Sequence, residues 1–167
     1  MKLVLVRHGL AIDREDFLKT KKDDSLRPLL LKGRKRSLEM AIQLKKWVGK
    51  IDLLVTSPYL RAKQTALIFQ RSLKIPRRME VMELIPSAPP VAFAQWLRAN
   101  AGMATSVLVI GHEPQLSVFA SWVLSGQMQS FIDLKKSGVV GIDIESLQDI
   151  HGATGDLKFL IPPKIFD

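Results

Sequence analysis

Three short apolar runs, each followed by a polar cluster, constrain the fold of this chain more than any other feature. The runs cover residues 2–6, 51–56 and 106–110, and their apolar residues are continuous rather than alternating. Such runs are typical of strands in a parallel sheet that helices cover on both faces. The carboxyl ends of parallel strands share one edge of the sheet, so the polar clusters are predicted to meet there.

Segments of helical periodicity separate these strands. Ser57 and Pro58 predict the start of the second helix, with the serine as N-cap and the proline as first helical residue. Residues 10–29 are predicted to form a long loop, and 80–84 a short strand or an extended loop. The helices are predicted at about 30–48, 58–73, 91–100 and 115–124.

Alternating apolar residues near the C-terminus, at 140–144 and 157–161, predict a half-exposed antiparallel pair of strands. The loop between them is predicted to expose His151. Together the elements predict one three-layer α/β/α domain over residues 1–167, with a mostly parallel central sheet and antiparallel C-terminal strands. A chain of 167 residues is long enough to bury one such core.

The absence of cysteine excludes disulfides, thiolate metal ligands and a cysteine nucleophile. It also fits a reducing compartment. No apolar run approaches the roughly 20 residues of a membrane helix, and Arg7 and His8 interrupt the run nearest the N-terminus. We therefore expect a soluble, cytoplasmic protein without a membrane partner.

The net charge of +9 is concentrated in one region, Lys19 to Lys50, which holds eleven basic against three acidic residues. Such a field attracts phosphates, acidic proteins or nucleic acid. Most of these side chains are interpreted as a solvated helix face. A nucleic-acid partner is not expected, because aromatic residues make up 7% of the chain and none alternate with basic residues along a strand.

Polar groups suited to phosphate follow the ends of all three strands. Arg7-His8-Gly9 follows the first, Gly111-His112 follows the third, and Arg61 lies in the first turn of the helix after the second. Gly9 permits a sharp turn or the close approach of a ligand. Gly9, and Ser57 at the turn before Arg61, are predicted to contact the phosphate or substrate. If the three strands are neighbours, two arginines and two histidines converge in one pocket.

Such a pocket is suited to a phosphoryl group. The arginines can bind its oxygens through bidentate charge-assisted hydrogen bonds. One histidine can attack phosphorus, and arginine charges lower its pKa so that it is neutral near pH 7. The other histidine can donate a hydrogen bond. A metal ion is disfavoured, because no carboxylate lies at helical spacing from either histidine.

The three motifs resemble those of the histidine phosphatase superfamily. They are Leu5-Val6-Arg7-His8-Gly9, the segment from Thr56 to Thr65, and Val109-Ile110-Gly111-His112. The short chain and Arg27-Pro28-Leu29 before the first long helix most resemble its SixA-type phosphohistidine phosphatases. Two residues depart from the pattern: Leu30 stands where a threonine N-cap is usual, and Leu10 where many relatives carry a polar residue.

The resemblance implies a phosphoglycerate mutase-like fold and a reaction without metal or organic cofactor. It implies His8 as the nucleophile that accepts the phosphate, and Arg7, Arg61 and His112 as the phosphate pocket. Larger family members carry a glutamate proton donor at the place where Glu83 stands here. The alternative for Glu83 is a surface carboxylate without a catalytic role.

The function expected from these features is hydrolysis of phosphohistidine in a partner protein, within signal transduction. The long insertions with which mutases shield the phosphoenzyme from water are missing, which favours hydrolysis over transfer. Two alternatives stay open. One is a phosphatase of small phosphomonoesters, and the other is a non-catalytic basic module that binds phosphate or nucleic acid.

Overall fold

The computed structural model describes residues 1–163, which form a six-stranded mixed sheet between two layers of helices. The strands are β1 (Lys2–Arg7), β2 (Leu53–Thr56), β3 (Arg77–Glu80), β4 (Ser106–Gly111), β5 (Val139–Ile144) and β6 (Gly155–Ile161). Their order across the sheet is β3-β2-β4-β1-β5-β6. The first four are parallel, and β5 and β6 run antiparallel, as predicted.

Five helices connect the strands. They are α1 (Arg14–Leu18), α2 (Leu31–Val48), α3 (Leu60–Leu73), α4 (Pro90–Asn100) and α5 (Gln115–Ser125). The N-cap of α2 is Leu30, which makes no side-chain capping bond, as expected from the missing threonine. None of the helices in residues 1–163 is long and apolar enough to cross a membrane.

Strands β1, β2 and β4 bury both of their faces, which explains their continuous apolar sequences. Leu3 and Leu5 of β1 pack into a core shared with α4 and α5. Val4 and Val6, which point the other way, pack into a second core with α2 and α3. The predicted α/β class and three-layer arrangement are therefore confirmed. The last four residues of the predicted domain, 164–167, lie outside the described residues.

The predicted start of α3 is wrong. The helix begins at Leu60, with Tyr59 at the N-cap position, and not at Pro58 after a Ser57 cap. The Ser57 hydroxyl accepts a hydrogen bond from Tyr59 N at 3.3 Å, but it also contacts a histidine ring across the sheet. That second contact holds Ser57 in the turn before the helix.

Three further details differ from the sequence-based expectations. The predicted loop at 10–29 contains α1 and a short 3-10 helix, Asp24–Leu26. The short strand expected near 80–84 lies earlier, at β3, and residues 82–84 form a 3-10 turn. Of the C-terminal pair, β6 is largely exposed as predicted, but β5 is almost entirely buried because it pairs with β1 inside the sheet.

The register of the central strands brings the three predicted motifs to one edge. Strand β4 lies between β1 and β2, with Arg7 beside Gly111 and Thr56 beside Ile110. The chain leaves all three strands at the same level. His8 N donates to Gly111 O at 3.1 Å, and Ser57 N donates to Ile110 O at 3.0 Å.

Candidate active site

Two buried histidines form the centre of this edge, with 4.9 Å between the centroids of the His8 and His112 rings. His8 Nδ1 lies 2.7 Å from the carbonyl oxygen of Gly9. A carbonyl only accepts hydrogen bonds, so Nδ1 carries the proton of the neutral ring. The free lone pair is therefore on Nε2, the nitrogen with which His8 can attack an electrophile.

The tautomer of His112 is set by Ser57. His112 Nε2 lies 2.9 Å from Ser57 Oγ, which already accepts the Tyr59 backbone N–H. The serine proton is thus available to the ring, and this arrangement places the proton of neutral His112 on Nδ1. Nδ1 is buried and has no hydrogen-bond partner. His112 accordingly holds one unused donor.

Both predicted arginines are anchored through terminal Nη atoms of the guanidinium group. Arg7 Nη1 donates to Leu134 O at 2.9 Å. Arg61 Nη1 donates to Asp24 O at 2.9 Å, and its Nη2 lies 3.0 Å from a carboxylate oxygen of Asp24. The Nε of each arginine is buried without a partner. The anchors fix the two side chains while leaving a donor of each unused.

Unpaired buried donors are concentrated in this site. In residues 1–163, four buried side-chain nitrogen or oxygen atoms lack a partner, and three of them are Arg7 Nε, Arg61 Nε and His112 Nδ1. Buried polar groups are nearly always hydrogen-bonded, because leaving one unpaired costs about 1–3 kcal/mol. Arg7, Arg61 and His112 line the same cleft as His8. Three unpaired donors on residues of one cleft are a set that an oxyanion bound there can satisfy.

Burial and positive charge hold both histidines neutral. Burial lowers the pKa of His8 from 6.5 to about 3, with further lowering by the charges of Arg61, Arg7 and Arg27. Burial likewise lowers the pKa of His112 to about 2, assisted by the neighbouring His8 and the same arginines. A neutral His8 is the form that can act as a nucleophile, as the sequence analysis required.

These pKa values predict that acidification destabilises the fold. An unfolded histidine takes up its proton near pH 6.5, whereas the two folded rings stay neutral down to about pH 3. In that window the unfolded state binds more protons, so the free energy of unfolding falls as pH falls, by up to about 1.4 kcal/mol per unit for each ring. Urea unfolding at pH 7.5, 6 and 5 measures this slope. A His8→Asn/His112→Asn variant should have a flatter one, and equal stability of the native protein at pH 7.5 and 5 would contradict the assignment.

Sequence analysis missed the ion-pair network that holds Arg61 in place. The carboxylate of Asp24 bonds to Arg61 and also to Arg27 Nε, at 2.8 Å. Burial opposes ionisation of Asp24, but the hydrogen bond from Arg27 and the charge of Arg61 outweigh it, so its pKa lies below the ordinary value. Arg27 was noted only as part of the motif before α2. Its role could be found only once the 10–29 segment was seen to fold over the site.

Gly9 is required for the packing of the chain against α2. A Cβ on Gly9 would lie 2.5 Å from Ser37 Oγ and 3.0 Å from Gly33 O, so α2 occupies the space that the missing side chain leaves. Its N–H donates to Thr65 Oγ1 at 3.0 Å. Gly9 and Ser57 are absent from the cleft lining. Their predicted contact with substrate stays a prediction.

The two glutamates near the site differ in position. Glu83 is half-exposed in the 3-10 turn and does not line the cleft, although its backbone carbonyl accepts a hydrogen bond from Gln115. Glu113 follows His112 directly and lines the cleft. Burial raises the pKa of the Glu113 carboxyl, against opposing hydrogen bonds from Ser117 and the charge of Arg7. Sequence analysis did not select Glu113, because its placement depends on how the chain turns after β4.

The cleft has a volume of about 650 Å³ and a strongly polar lining. Five basic and three acidic side chains contribute to it, together with His8 and His112. The charged residues are Arg7, Asp13, Arg14, Asp24, Arg27, Arg61, Glu113 and Lys136. Within the described residues, no three histidine, aspartate or glutamate side chains are grouped as metal ligands would be.

Known proteins resemble this chain in sequence and in structure. A family model described as the histidine phosphatase superfamily (branch 1) matches residues 3–84. The curated phosphohistidine phosphatase SixA of Escherichia coli (strain K12) is 34% identical over 131 residues, which cover 76% of each chain. This chain belongs to the histidine phosphatase superfamily.

Two further relatives match this histidine phosphatase over nearly its whole length. An uncharacterized protein of Picosynechococcus sp. is 32% identical over 165 residues, 98% of each chain. The solved structure of the protein histidine phosphatase SixA complexed with tungstate superposes with a TM-score of 0.82 at 26% identity, covering 98% of this chain and 97% of that one. The likeness confirms the predicted phosphoglycerate mutase-like fold.

Proposed function

We propose that this phosphatase hydrolyses phosphohistidine in a partner protein, through a phosphohistidine intermediate on His8. The observation that carries the proposal is the set of three unpaired buried donors, on Arg7, Arg61 and His112, in the cleft that His8 also lines. In a phosphatase, these donors would bind the non-bridging oxygens of the transferred phosphoryl group. The two arginine donors would also supply positive charge, which stabilises the equatorial oxygens of the phosphoryl group in the transition state.

The first step transfers the phosphoryl group to the enzyme. His8 Nε2 supplies an electron pair to phosphorus, and the bond between phosphorus and the substrate nitrogen breaks. The substrate imidazole keeps the electron pair of that bond, and its second nitrogen takes a proton from solvent, so the ring leaves neutral. The Nδ1–H bond to the Gly9 carbonyl holds the His8 ring in the required tautomer.

The second step hydrolyses the intermediate. Water attacks phosphorus and loses a proton to solvent. The bond to His8 Nε2 breaks, its electron pair returns to that nitrogen, and inorganic phosphate leaves with the oxygen of that water. Ser57 is proposed as a positioning residue, because its contact with His112 Nε2 directs the His112 Nδ1 proton to the phosphoryl group. Asp24 takes a similar role for Arg61, which it holds by two contacts.

Two observations favour a phosphohistidine protein as substrate. SixA of Escherichia coli, which is 34% identical, is named a phosphohistidine phosphatase. A solved SixA structure holds tungstate, a tetrahedral oxyanion that resembles phosphate. Hydrolysis of phosphohistidine would place this enzyme in phosphoryl signalling in the cytoplasm, and its substrate would then be a protein rather than a nucleic acid.

The test is a comparison of turnover on a substrate panel. It contains a histidine-phosphorylated protein, free phosphohistidine, p-nitrophenyl phosphate and an alkyl phosphate. We expect kcat/KM for the phosphoprotein to exceed that for the alkyl phosphate by on the order of 100-fold, a discrimination that pocket contacts can supply. Equal or higher kcat/KM on the esters would favour a phosphatase of small phosphomonoesters. Binding without turnover would indicate a non-catalytic phosphate-binding module.

Turnover is further predicted to need no metal ion. Arg7 and Arg61 already supply two positive charges to the phosphoryl oxygens, and Arg27 adds a third at the cleft. Activity on phosphohistidine should therefore be unchanged after dialysis against EDTA. Activity that disappears in EDTA and returns with a divalent cation would contradict this prediction.

A further inference from the structure

The exposed face of α2 carries an apolar stripe that residues 1–163 leave uncovered. Leu31, Leu38 and Ile42 are 83%, 46% and 54% exposed, respectively. Their spacing of seven and four residues puts all three on one line along the helix. Scattered apolar residues on a surface need no explanation, but these three lie along one helical line that spans about 17 Å.

Basic side chains flank this stripe on both sides. At about 100° per residue, Arg34 and Lys45 lie on one side of the line, and Lys35 and Lys46 lie on the other. All four are exposed. Six basic residues and one acidic residue, Glu39, give α2 a net charge of +5. The only contact of Glu39 with a flanking residue is a long one to Lys35, at 3.9 Å, which is worth little at an exposed site.

The stripe begins at the cleft. Leu30, the residue before α2, lines the cleft together with Arg27 and Leu10. Leu31 follows it as the first exposed residue of the stripe. A partner segment that binds along α2 therefore has one end at Leu31, and that end lies next to the cleft.

We propose that this face, the α2 stripe with its flanking basic residues, docks an acidic amphipathic helix of the phosphorylated substrate protein. The proposal rests on the proposed function and names the surface that selects its substrate. Apolar residues of the partner helix would cover Leu31, Leu38 and Ile42, and its carboxylates would pair with the flanking lysines and arginine. A second copy of this chain fits the face poorly, because its own α2 carries the same positive charge.

The experiment uses two synthetic helices as probes. Each has about 25 residues, long enough for substantial helicity, and an apolar stripe with the same spacing as that of α2. One carries glutamates beside its stripe and the other carries lysines. We expect the glutamate peptide to bind the full chain in calorimetry, more weakly as salt rises, and to shift α2 amide signals in NMR. The lysine peptide should bind at least about 10-fold more weakly.

Matched variants locate the binding surface. Leu38→Gln/Ile42→Gln removes the apolar contact, and Lys35→Glu/Lys46→Glu reverses two flanking charges. Each should weaken binding of the glutamate peptide at least about 10-fold, the effect expected for two central interface residues. Met103→Gln/Leu157→Gln is the control, since these apolar residues are 97% and 49% exposed elsewhere on the surface. It should bind like wild type.

Several results would overturn the proposal: equal binding by wild type and both α2 variants, tighter binding of the lysine peptide, or self-association that Leu38→Gln/Ile42→Gln abolishes. Preferential binding of single-stranded DNA over the glutamate peptide at physiological salt would also overturn it. Free phosphohistidine, too small to reach α2, should be hydrolysed equally by all variants. If wild type hydrolyses no phosphohistidine at all, the proposed function fails, while peptide binding still decides the docking surface.

Discussion

His8→Ala should abolish turnover, lowering kcat by about 10⁴-fold or more, the scale on which loss of a catalytic nucleophile is felt. His8 Nε2 carries the free lone pair that attacks phosphorus. Alanine has no nucleophilic atom at this place, so the variant cannot form the covalent intermediate. Rapid quench of wild type with labelled substrate should trap a phosphoenzyme that is stable in base and labile in acid. The variant should form none.

The matched control is His151→Ala, which removes an exposed histidine far from the cleft lining. It should keep wild-type turnover and the trapped phosphoenzyme. The His8 variant should still bind inorganic phosphate, because Arg7, Arg61 and His112 are intact, and this binding separates loss of the nucleophile from loss of the fold. Wild-type turnover by His8→Ala, or a phosphoenzyme trapped on it, would refute the assignment.

The layers of this fold could be predicted because they reflect burial, whereas the order of the strands across the sheet was not predicted. Continuous apolar runs such as Leu3 to Val6 require cover on both faces, and helical periodicity supplied the covering elements. Four residues of the site, Arg7, His8, Arg61 and His112, could be selected because each lies at or just after the end of a strand or in the first turn of a helix. Matching registers in β1, β2 and β4 then bring them together.

What sequence analysis missed depends on contacts between distant segments. The 10–29 segment was interpreted as a loop, so Asp24 and Arg27 were not connected with Arg61, more than 30 residues away. Serine is a favoured N-cap residue, but Ser57 contacts His112 and lies in the turn before α3 instead of capping it. The burial of β5 also could not be read from its alternating sequence, since it depends on pairing with both β1 and β6.

Sequence and structure favour different residues as the proton donor for oxygen esters. Family resemblance implies Glu83, which is half-exposed and outside the cleft lining. The structure places Glu113 in the lining, where burial raises the pKa of its carboxyl and so increases the protonated fraction that an acid needs. One carboxylate oxygen accepts the Ser117 N–H at 3.0 Å, which orients the group.

We expect Glu113→Gln to lower kcat on an alkyl phosphate by about 10²–10⁴-fold, the usual cost of losing a general acid. An alkyl ester expels an alkoxide, which leaves slowly unless an acid protonates it. The substrate imidazole of phosphohistidine takes its proton from solvent, so the same variant should change turnover of that substrate little. Glu83→Gln is the matched control and should lose little on either substrate.

The pH dependence separates an acid from a merely structural glutamate. Because the acid must be protonated to act, kcat of wild type on the alkyl phosphate should fall as pH rises through the raised pKa of Glu113. Glu113→Gln should lack this decline, and the pH dependence of phosphohistidine turnover should be the same in both proteins. If Glu83→Gln instead carries the ester-specific loss and removes the decline, the donor is Glu83, as the family resemblance implies. If Glu113→Gln slows both substrates equally, Glu113 supports the fold around His112 and donates no proton.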